Sequence, residues 1–580
     1  MTAYLDINDL NKNVNNHISN IDFYKTIGKI AKTHGFKIYI IGGFVRDLII
    51  YNIYGIYNIS EDKSLDIDIC VEGDATIFAE MLKNELHKYN KADFYINNIK
   101  IHKQFKTAGI LFTIKENNNI DIVNNIEKTD KIDKTDKTIN TKINIDFASA
   151  REESYFKSGA LPLVKFSDLK HDVIRRDFSI NTLALDLNPD NFFEIIDYCN
   201  GVKDILNKKI RVLHNLSFID DPTRIFRAVR FEKRLNFKIE KITKNLLLDA
   251  LSKGVMNNIS GKRISNELSL VFKENCPEIY FERLEKLGAL KSIDEDLKFT
   301  PENKKVFKNI HNFYKLNKEK INNIKVKNGI KIKINFELFY IIELIIKLEE
   351  KKIISILERL NFGENIKKLI LSVKQETEFI ENGAIFDKLN LNANENNIRK
   401  NNIKIDNIKN NNNIKEYNHI IKDEMLSNNT NNKALQKSEI YLILKSFNLY
   451  SVIFFIVRYN NKCEKNKKDS KKSDNKSNDN KNSCKNCDNN NKYIKEYQDI
   501  QDNKYKNIIK YLNTYLFEII NINLNISGDE LKKMGIKEGP ELGEILNKLK
   551  LLKIDGIIKN KEEEIEYIKN NYLTNNVNIQ

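Results

Sequence analysis

Asp66 and Asp68 stand in the run Ser64-Leu65-Asp66-Ile67-Asp68-Ile69-Cys70-Val71, where apolar and acidic residues alternate. Such alternation reads as a half-buried strand, on which positions i and i+2 share a face about 6–7 Å apart. Two carboxylates at that spacing can share divalent cations. Bridged cations can activate an attacking hydroxyl and neutralise a triphosphate during in-line displacement. In a chain this rich in acids and Ile, an isolated Asp-x-Asp is more often structural than catalytic. Upstream, Gly42-Gly43-Phe44-Val45-Arg46-Asp47 supplies a second component. Two glycines between strand and helix let the backbone approach a phosphate, and the helix N-terminus offers unpaired N–H groups. Arg46 can hold phosphate oxygens in a bidentate fork, and Asp47 can orient Arg46 or contact a ribose.

The elements that must position these groups alternate in type. Phe23 to Ala31 reads as a helix, and Phe36 to Ile41 as a β-rich strand stopping at the glycines. Helical periodicity restarts from Val45 to Tyr51, a strand covers Ser64 to Val71, and a helix follows from Ala75 to Tyr89. Further strands are expected at Ile99–Ile101, Gly109–Ile114 and Ile143–Phe147. From about Asn181 the segments read as helical, as in Ile225 to Leu235 and Phe339 to Leu348, where apolar residues recur at i, i+3 and i+4. Asn/Lys-rich inserts at 117–142, 391–434 and 460–504 are too poor in apolar residues to carry a core. The expected organisation is a head over 21–180, a helical neck over 181–275 and a body over 276–390. A helical piece at 435–459 and a helical tail at 505–575 complete it.

The 580-residue chain is 41% hydrophobic and carries a net charge of +16, which suits a polyanionic partner. Lys, Asn and Ile are used throughout, so compositional bias accounts for the charge equally well. Six Cys do not suggest a disulfide framework. Cys484-Lys485-Asn486-Cys487 has zinc-knuckle spacing but lacks an adjacent His or an apolar shell, and Cys463 lies upstream. No run of 18 apolar residues appears, and the N-terminus is polar, which points to a reducing, cytoplasmic setting without a membrane span.

Four later stretches, in order, extend the two components above. Asp146-Phe147-Ala148-Ser149-Ala150-Arg151-Glu152-Glu153-Ser154-Tyr155 comes first, then Arg175-Arg176-Asp177-Phe178-Ser179-Ile180-Asn181-Thr182-Leu183-Ala184. Asp220-Asp221-Pro222-Thr223-Arg224-Ile225-Phe226-Arg227-Ala228-Val229-Arg230-Phe231 and Gly261-Lys262-Arg263-Ile264-Ser265-Asn266-Glu267-Leu268 follow. With the Gly-Gly-x-Val-Arg-Asp turn, this series resembles the class II (bacterial-type) CCA-adding tRNA nucleotidyltransferase and poly(A) polymerase family. Ile196 to Asp204 is similar to the family's Asp-x-x-Gly-Gly turn, and Ile526 through Gly543 to its C-terminal element.

The resemblance implies an α/β head with the nucleotidyltransferase fold of the DNA polymerase beta superfamily, built on a short mixed sheet, followed by an all-α neck, body and tail. It implies that Asp66 and Asp68 bind Mg2+, with Asp146 a candidate third catalytic carboxylate. Gly42, Gly43, Arg46, Asp47, Arg175, Arg176, Asp177 and Asn181 would line the nucleotide pocket. Arg175 and Arg176 are adjacent and cannot share one helical face, so one is expected on ligand and the other in a structural pair. Asp221 and Arg224, spaced i, i+3 on a helix, would read cytosine or adenine in place of a nucleic-acid template. The bland alternative for such a pair is an intrahelical salt bridge. Arg227 and Arg230 continue that stripe toward triphosphate or RNA backbone.

The activity implied is addition of C and A to the tRNA 3′ end from CTP and ATP, with release of pyrophosphate. A-adding, CC-adding and poly(A)-adding enzymes share the same motifs, and a noncatalytic RNA-binding protein on this scaffold is the reading from another class. Asp220 stands where Glu is common, Thr182 replaces Ala, and Asn200 replaces the first Gly of the paired-Gly turn. None removes a group the chemistry needs. His171-Asp172 lacks partner His residues at the spacing of a phosphohydrolase.

Overall fold

The computed structural model describes residues 21–55, 66–89, 94–116, 139–154, 163–324, 333–382, 435–459 and 505–573. The inserts at 117–138, 391–434 and 460–504, with Cys463, Cys484 and Cys487, lie outside the described residues, as does Tyr155. The chain divides into two compact units, Met1–Glu274 with Ile279–Asp296, and Asn275–Glu278 with Leu297–Gln580. The segments expected as head and neck both fall in the first.

That unit is built on a seven-stranded sheet ordered β3-β4-β5-β2-β1-β8-β9. The strands are β1 (Lys37–Ile41), β2 (Asp66–Glu72), β3 (Phe94–His102), β4 (Thr107–Glu116), β5 (Ile139–Ser149), β8 (Ala184–Asp186) and β9 (Ile195–Ile196). Only β2 and β5 run parallel; all other neighbours are antiparallel, so the sheet is mixed as expected. One face buries Ile38, Ile40, Ile67, Ile69 and Phe147. Helices α1 (Ile21–Thr33) and α3 (Ala75–Tyr89) contribute Phe23 and Phe78 to this side, where Phe23 meets Phe112 and Phe78 meets Phe147 edge to face or tilted at 5.0 and 5.5 Å. The alternate positions Tyr39, Ile41 and Cys70 form a smaller cluster with Leu169 and Val173 of the short helix α4 (Leu169–Ile174).

Three sequence expectations are corrected here. The insert ends earlier than 142: residues 139–142 already belong to β5, where Thr141 and Lys142 pair with Ile114 and Thr113 of β4. Ile99–Ile101 is the middle of a nine-residue strand broken by a register shift between Ile96 and Asn98. The segment after Asn181 is not purely helical. Its strands β8 and β9 complete the sheet, and β10 (Lys209–Ile210) and β11 (Lys238–Ile239) form a short parallel pair. Two- and three-residue strands bury too few alternating positions to show a period.

Strands β6 (Arg151–Ser154) and β7 (Leu163–Phe166) form a separate antiparallel pair, and the remaining elements include the helices α5 (Gly201–Leu206), α6 (Ser217–Asp220), α7 (Arg224–Arg234), α8 (Lys241–Ser252), α9 (Gly261–Phe272) and α10 (Pro277–Leu287). The turn into α5 keeps its shape without the usual glycine because Asn200 takes the left-handed conformation, φ 59°, which Asn tolerates better than most residues. The following Gly201 is required. A Cβ there would lie 2.4 Å from the Ser179 carbonyl oxygen.

The second unit is helical, from α11 (Pro301–Asn322) through α12 (Glu337–Ile345), α13 (Glu350–Arg359), α14 (Glu364–Glu381), α15 (Lys437–Leu444) and α16 (Leu449–Tyr459). Its core holds a buried ion pair, Glu343 with Arg458, where Asn303 also donates to Glu343 at 3.0 Å. The tail helices α17 (Gly528–Lys533), α18 (Pro540–Ile554) and α19 (Lys561–Ile568) close on a cluster that includes Leu531, Ile545, Leu549 and Ile568. Among the described residues no single helix is long and apolar enough to cross a membrane.

Candidate active site

One row across the sheet carries the expected chemistry. Ile41 of β1 pairs with Asp68, Asp68 with Asp146, and Asp146 with Gly109. Asp68 and Asp146 are therefore direct neighbours on parallel strands about 4.8 Å apart, and both are exposed. They emerge at the end of the face that α4 covers further along at Tyr39 and Cys70. The backbone of Asp66 pairs with Asn144, one strand alternation before Asp68. Gly109 gives Asp146 its space: a Cβ at 109 would sit 2.9 Å from the Asp146 Oδ1.

Beside this row, β1 ends at Gly42, with φ 80° and ψ −129°, a backbone state open to glycine. A Cβ there would meet the Arg176 guanidinium at 3.3 Å and the Asp68 carboxylate at 3.9 Å. Helix α2 (Gly43–Tyr54) starts at the next residue. Arg46 in its first turn is 3% exposed. Its Nε and Nη2 donate to the two Asp47 oxygens at 2.7 and 2.9 Å, and its Nη1 donates to Asn181 Oδ1 at 2.7 Å. The expected phosphate fork is thus already closed on Asp47, which orients Arg46.

From Asn181 the wiring continues. Its amide donates to Asp177 Oδ1 at 2.9 Å, and Arg227 Nε donates to Asp177 Oδ2 at 2.8 Å. Burial pushes the Asp177 carboxyl up, but Arg227, the Asn181 amide and Arg224 outweigh it and hold the group below the usual carboxylate range.

The adjacent Arg175 and Arg176, of which one is expected on ligand and the other in a structural pair, share one structural partner. Both bind Asp172, at 2.5 and 3.0 Å, and Arg175 also binds Glu153 at 2.8 Å. Asp172 is 2% exposed; burial raises its carboxyl, and the two guanidiniums more than reverse this. Lying three and four residues before the arginines, it reaches both from the preceding helical turn. That spacing is the signal the sequence reading passed over.

Asp221 and Arg224 are likewise not on one helix. Asp221 is extended, φ −133° and ψ 93°, at the end of α6, and Arg224 is the first residue of α7. The Asp221 carboxylate accepts from the Thr223 backbone N–H at 3.0 Å, a local turn that competes with helix, and from Arg263 at 2.7 Å. Arg224 is 5% exposed and donates to Ser217 Oγ at 2.7 Å and to the Arg175 carbonyl at 2.9 Å.

A cavity of about 720 Å³ gathers Gly42, Gly43, Arg46, Asp68, Arg175, Arg176, Asp177, Asn181, Asp221, Arg224, Arg227 and Arg230. Asp47 sits behind Arg46, and Asp146 lies beside Asp68 in the sheet. Nine arginines line the cavity against five carboxylates, Asp68, Glu153, Asp177, Asp221 and Glu267. The surplus of positive charge suits an anionic ligand. Arg263, Asn266 and Glu267 of α9 were not singled out individually in the sequence, where this segment only resembles a family motif. Among the described residues no group of three His, Cys, Asp or Glu side chains is arranged to hold a metal ion.

A mixed sheet thus presents paired carboxylates beside a glycine turn. Residues 38–211 match the Poly A polymerase head domain. The chain is 38% identical over 277 residues, 48% of its length, to the A-adding tRNA nucleotidyltransferase of Geobacter sulfurreducens, and covers 26% of that protein. It is 34% identical over 276 residues to the A-adding tRNA nucleotidyltransferase of Halalkalibacterium halodurans, covering 47% of this chain and 54% of that protein. The chain thus spans about a quarter to a half of these relatives. Across 98% of its length it shares the fold of a CCA-adding enzyme solved without ligand, at a TM-score of 0.59, 23% identity and 99% coverage of that structure. A tRNA complex of the Thermotoga maritima CCA-adding enzyme gives a TM-score of 0.54 at 22% identity, over 98% of this chain and 99% of that one.

Proposed function

We propose that this protein is a tRNA nucleotidyltransferase that adds C and A to the tRNA 3′ end from CTP and ATP. The observation that carries this is the sheet row in which Asp68, lining the arginine-rich cavity, stands beside Asp146. Exposed paired carboxylates suit an acceptor hydroxyl, and the arginines suit a triphosphate. Adjacent hard-oxygen donors with room made by Gly109 fit Mg2+, which Asp68 and Asp146, with Asp66, would hold. When bound, the cation supplies charge neutralisation and a more nucleophilic hydroxyl.

The protein's own work is positioning. The Gly42 turn lets phosphate approach the backbone, and Arg176 lies against that turn. The linked run Asp47–Arg46–Asn181–Asp177–Arg227 holds two of the cavity's guanidiniums in fixed places before any ligand arrives. Asp221, at the end of α6, and Arg224, at the start of α7, offer an acceptor and a donor to the base edge. Basic residues of the helical second unit would hold the tRNA acceptor stem by its phosphates. The thiols of Cys70, Cys199 and Cys276 suit a reducing, cytoplasmic compartment.

A-only addition is the second reading, favoured by relatives at 32–38% identity over about half the chain that are named A-adding enzymes. The two separate on tRNA lacking one, two or three terminal nucleotides, offered with each labelled triphosphate. Incorporation of C onto tRNA lacking all three supports the first. Incorporation of A alone, on tRNA ending in CC, sinks it.

A further inference from the structure

Three side chains lining the cavity, Arg151, Arg230 and Glu267, keep a buried polar atom without a hydrogen-bond partner among the described residues, and the last two lie together. Arg230 on α7 and Glu267 on α9 are 8% and 9% exposed. Arg230 Nε and Glu267 Oε2 are sealed from solvent and have no hydrogen-bond partner among the described residues. Arg230 approaches Glu267 no closer than 3.9 Å, beyond hydrogen-bond reach. Arg227, 3.8 Å from Glu267 on its other side, already donates to Asp177. Leaving a charged donor and a charged acceptor buried and unmade is costly, and such groups are kept where a ligand completes them.

We propose that Arg230 and Glu267 form a second base-edge subsite, which takes the amidine edge shared by adenine and cytosine. The partner must accept from Arg230 and donate to Glu267. A phosphate could satisfy only Arg230 and would be repelled by Glu267. The N1 and N6 amino group of adenine, or N3 and the N4 amino group of cytosine, meet both demands. Uracil and hypoxanthine turn a carbonyl oxygen toward Glu267 and an N–H toward Arg230, so they meet neither. Asp221 and Arg224 have the same polarity, but Arg263 and Thr223 hold the one and Ser217 the other. Two such pairs in one cavity can serve two bases, that of the incoming nucleotide and the last base of the acceptor. The subsite rests on the nucleotidyl-transfer reading of the cavity.

The test uses the full chain and its Glu267→Gln variant in two arms. The first compares ATP with ITP on one acceptor; the second compares acceptors ending in cytidine and uridine with ATP. The wild type should discriminate by about 10- to 100-fold in kcat/KM in the arm that the subsite reads. Glu267→Gln, whose amide can donate to a carbonyl, should bring that arm toward parity, mainly through KM, and leave the other arm as it was. Arg230→Lys, which keeps the charge but not the Nε donor, should weaken the same arm if Glu267→Gln does not fold. Unchanged selectivity in both arms, or an equal loss for every triphosphate, would overturn the subsite in favour of a phosphate-binding role. A wild type that incorporates nothing overturns the transfer reading itself, and the subsite with it.

Discussion

The two ends of the cavity are built on opposite plans. At the sheet end, Asp68 and Asp146 are exposed, held by strand register, and flanked by glycines whose missing Cβ atoms make the space. At the helix end, Arg224 and Arg230 are buried, and Arg227 is tied to Asp177. Strand pairing fixes where a carboxylate stands through the backbone alone. A helix projects long guanidiniums, whose positions are set only when other side chains bind them. Under the proposed function, the sheet end serves the reacting atoms, and the helix end holds and selects what reacts.

Substitutions at each end should separate these roles. Asp146→Asn should lower kcat on the order of 100-fold or more while the thermal midpoint stays near that of the parent, read by nucleotide incorporation and by melting. Equal activity would remove Asp146 from the chemistry. At the helix end, Asp177→Asn leaves Arg227 without its main partner and should destabilise the fold by about 2–3 kcal/mol, measured by denaturant unfolding. A stability within experimental error of the parent would mean that this linkage does not hold the helix in place. Gly109→Ala, which crowds Asp146, should reduce kcat about tenfold with a stability loss nearer 1 kcal/mol.

Asp172 gives a pH test of the linkage beneath the glycine turn. Its folded pKa is depressed, so its stabilising contribution is complete above about pH 4, its unfolded value, and fades as pH falls through the lower folded value. Asp172→Asn should therefore flatten the acid limb of the stability profile, and an unaltered limb would contradict the assignment. The smallest effect is expected at Asn200. Asn200→Gly should alter stability by less than about 0.5 kcal/mol, whereas Asn200→Ala, strained at φ 59°, should lose about 1 kcal/mol.

The sheet end was largely legible in the sequence because it rests on local signals. Alternation marked β2, paired glycines marked the turn, and the Asp-x-Asp spacing marked the face. The helix end was legible in composition but not in wiring. Which carboxylate holds which arginine depends on contacts between segments about 40 to 50 residues apart, such as Asp177 with Arg227 and Asp221 with Arg263. Asp221 was misplaced onto the helix because an i, i+3 spacing ignores the local turn its own carboxylate makes with Thr223. The space at Gly109 could not be foreseen, since it depends on a pairing across two strands separated by an insert.

The proposed function puts Asp68 in the chemistry and gives the arginine-lined cavity and the helical second unit the task of holding the substrates. The most direct measurement is incorporation of labelled nucleotide into 3′-truncated tRNA by the parent and by Asp68→Ala, with tRNA affinity measured in parallel. The expected result is incorporation by the parent, its loss in the variant, and tRNA affinity unchanged within about threefold. Incorporation by Asp68→Ala at the parent's rate, or a parent that binds tRNA and adds nothing with Mg2+ present, would contradict it.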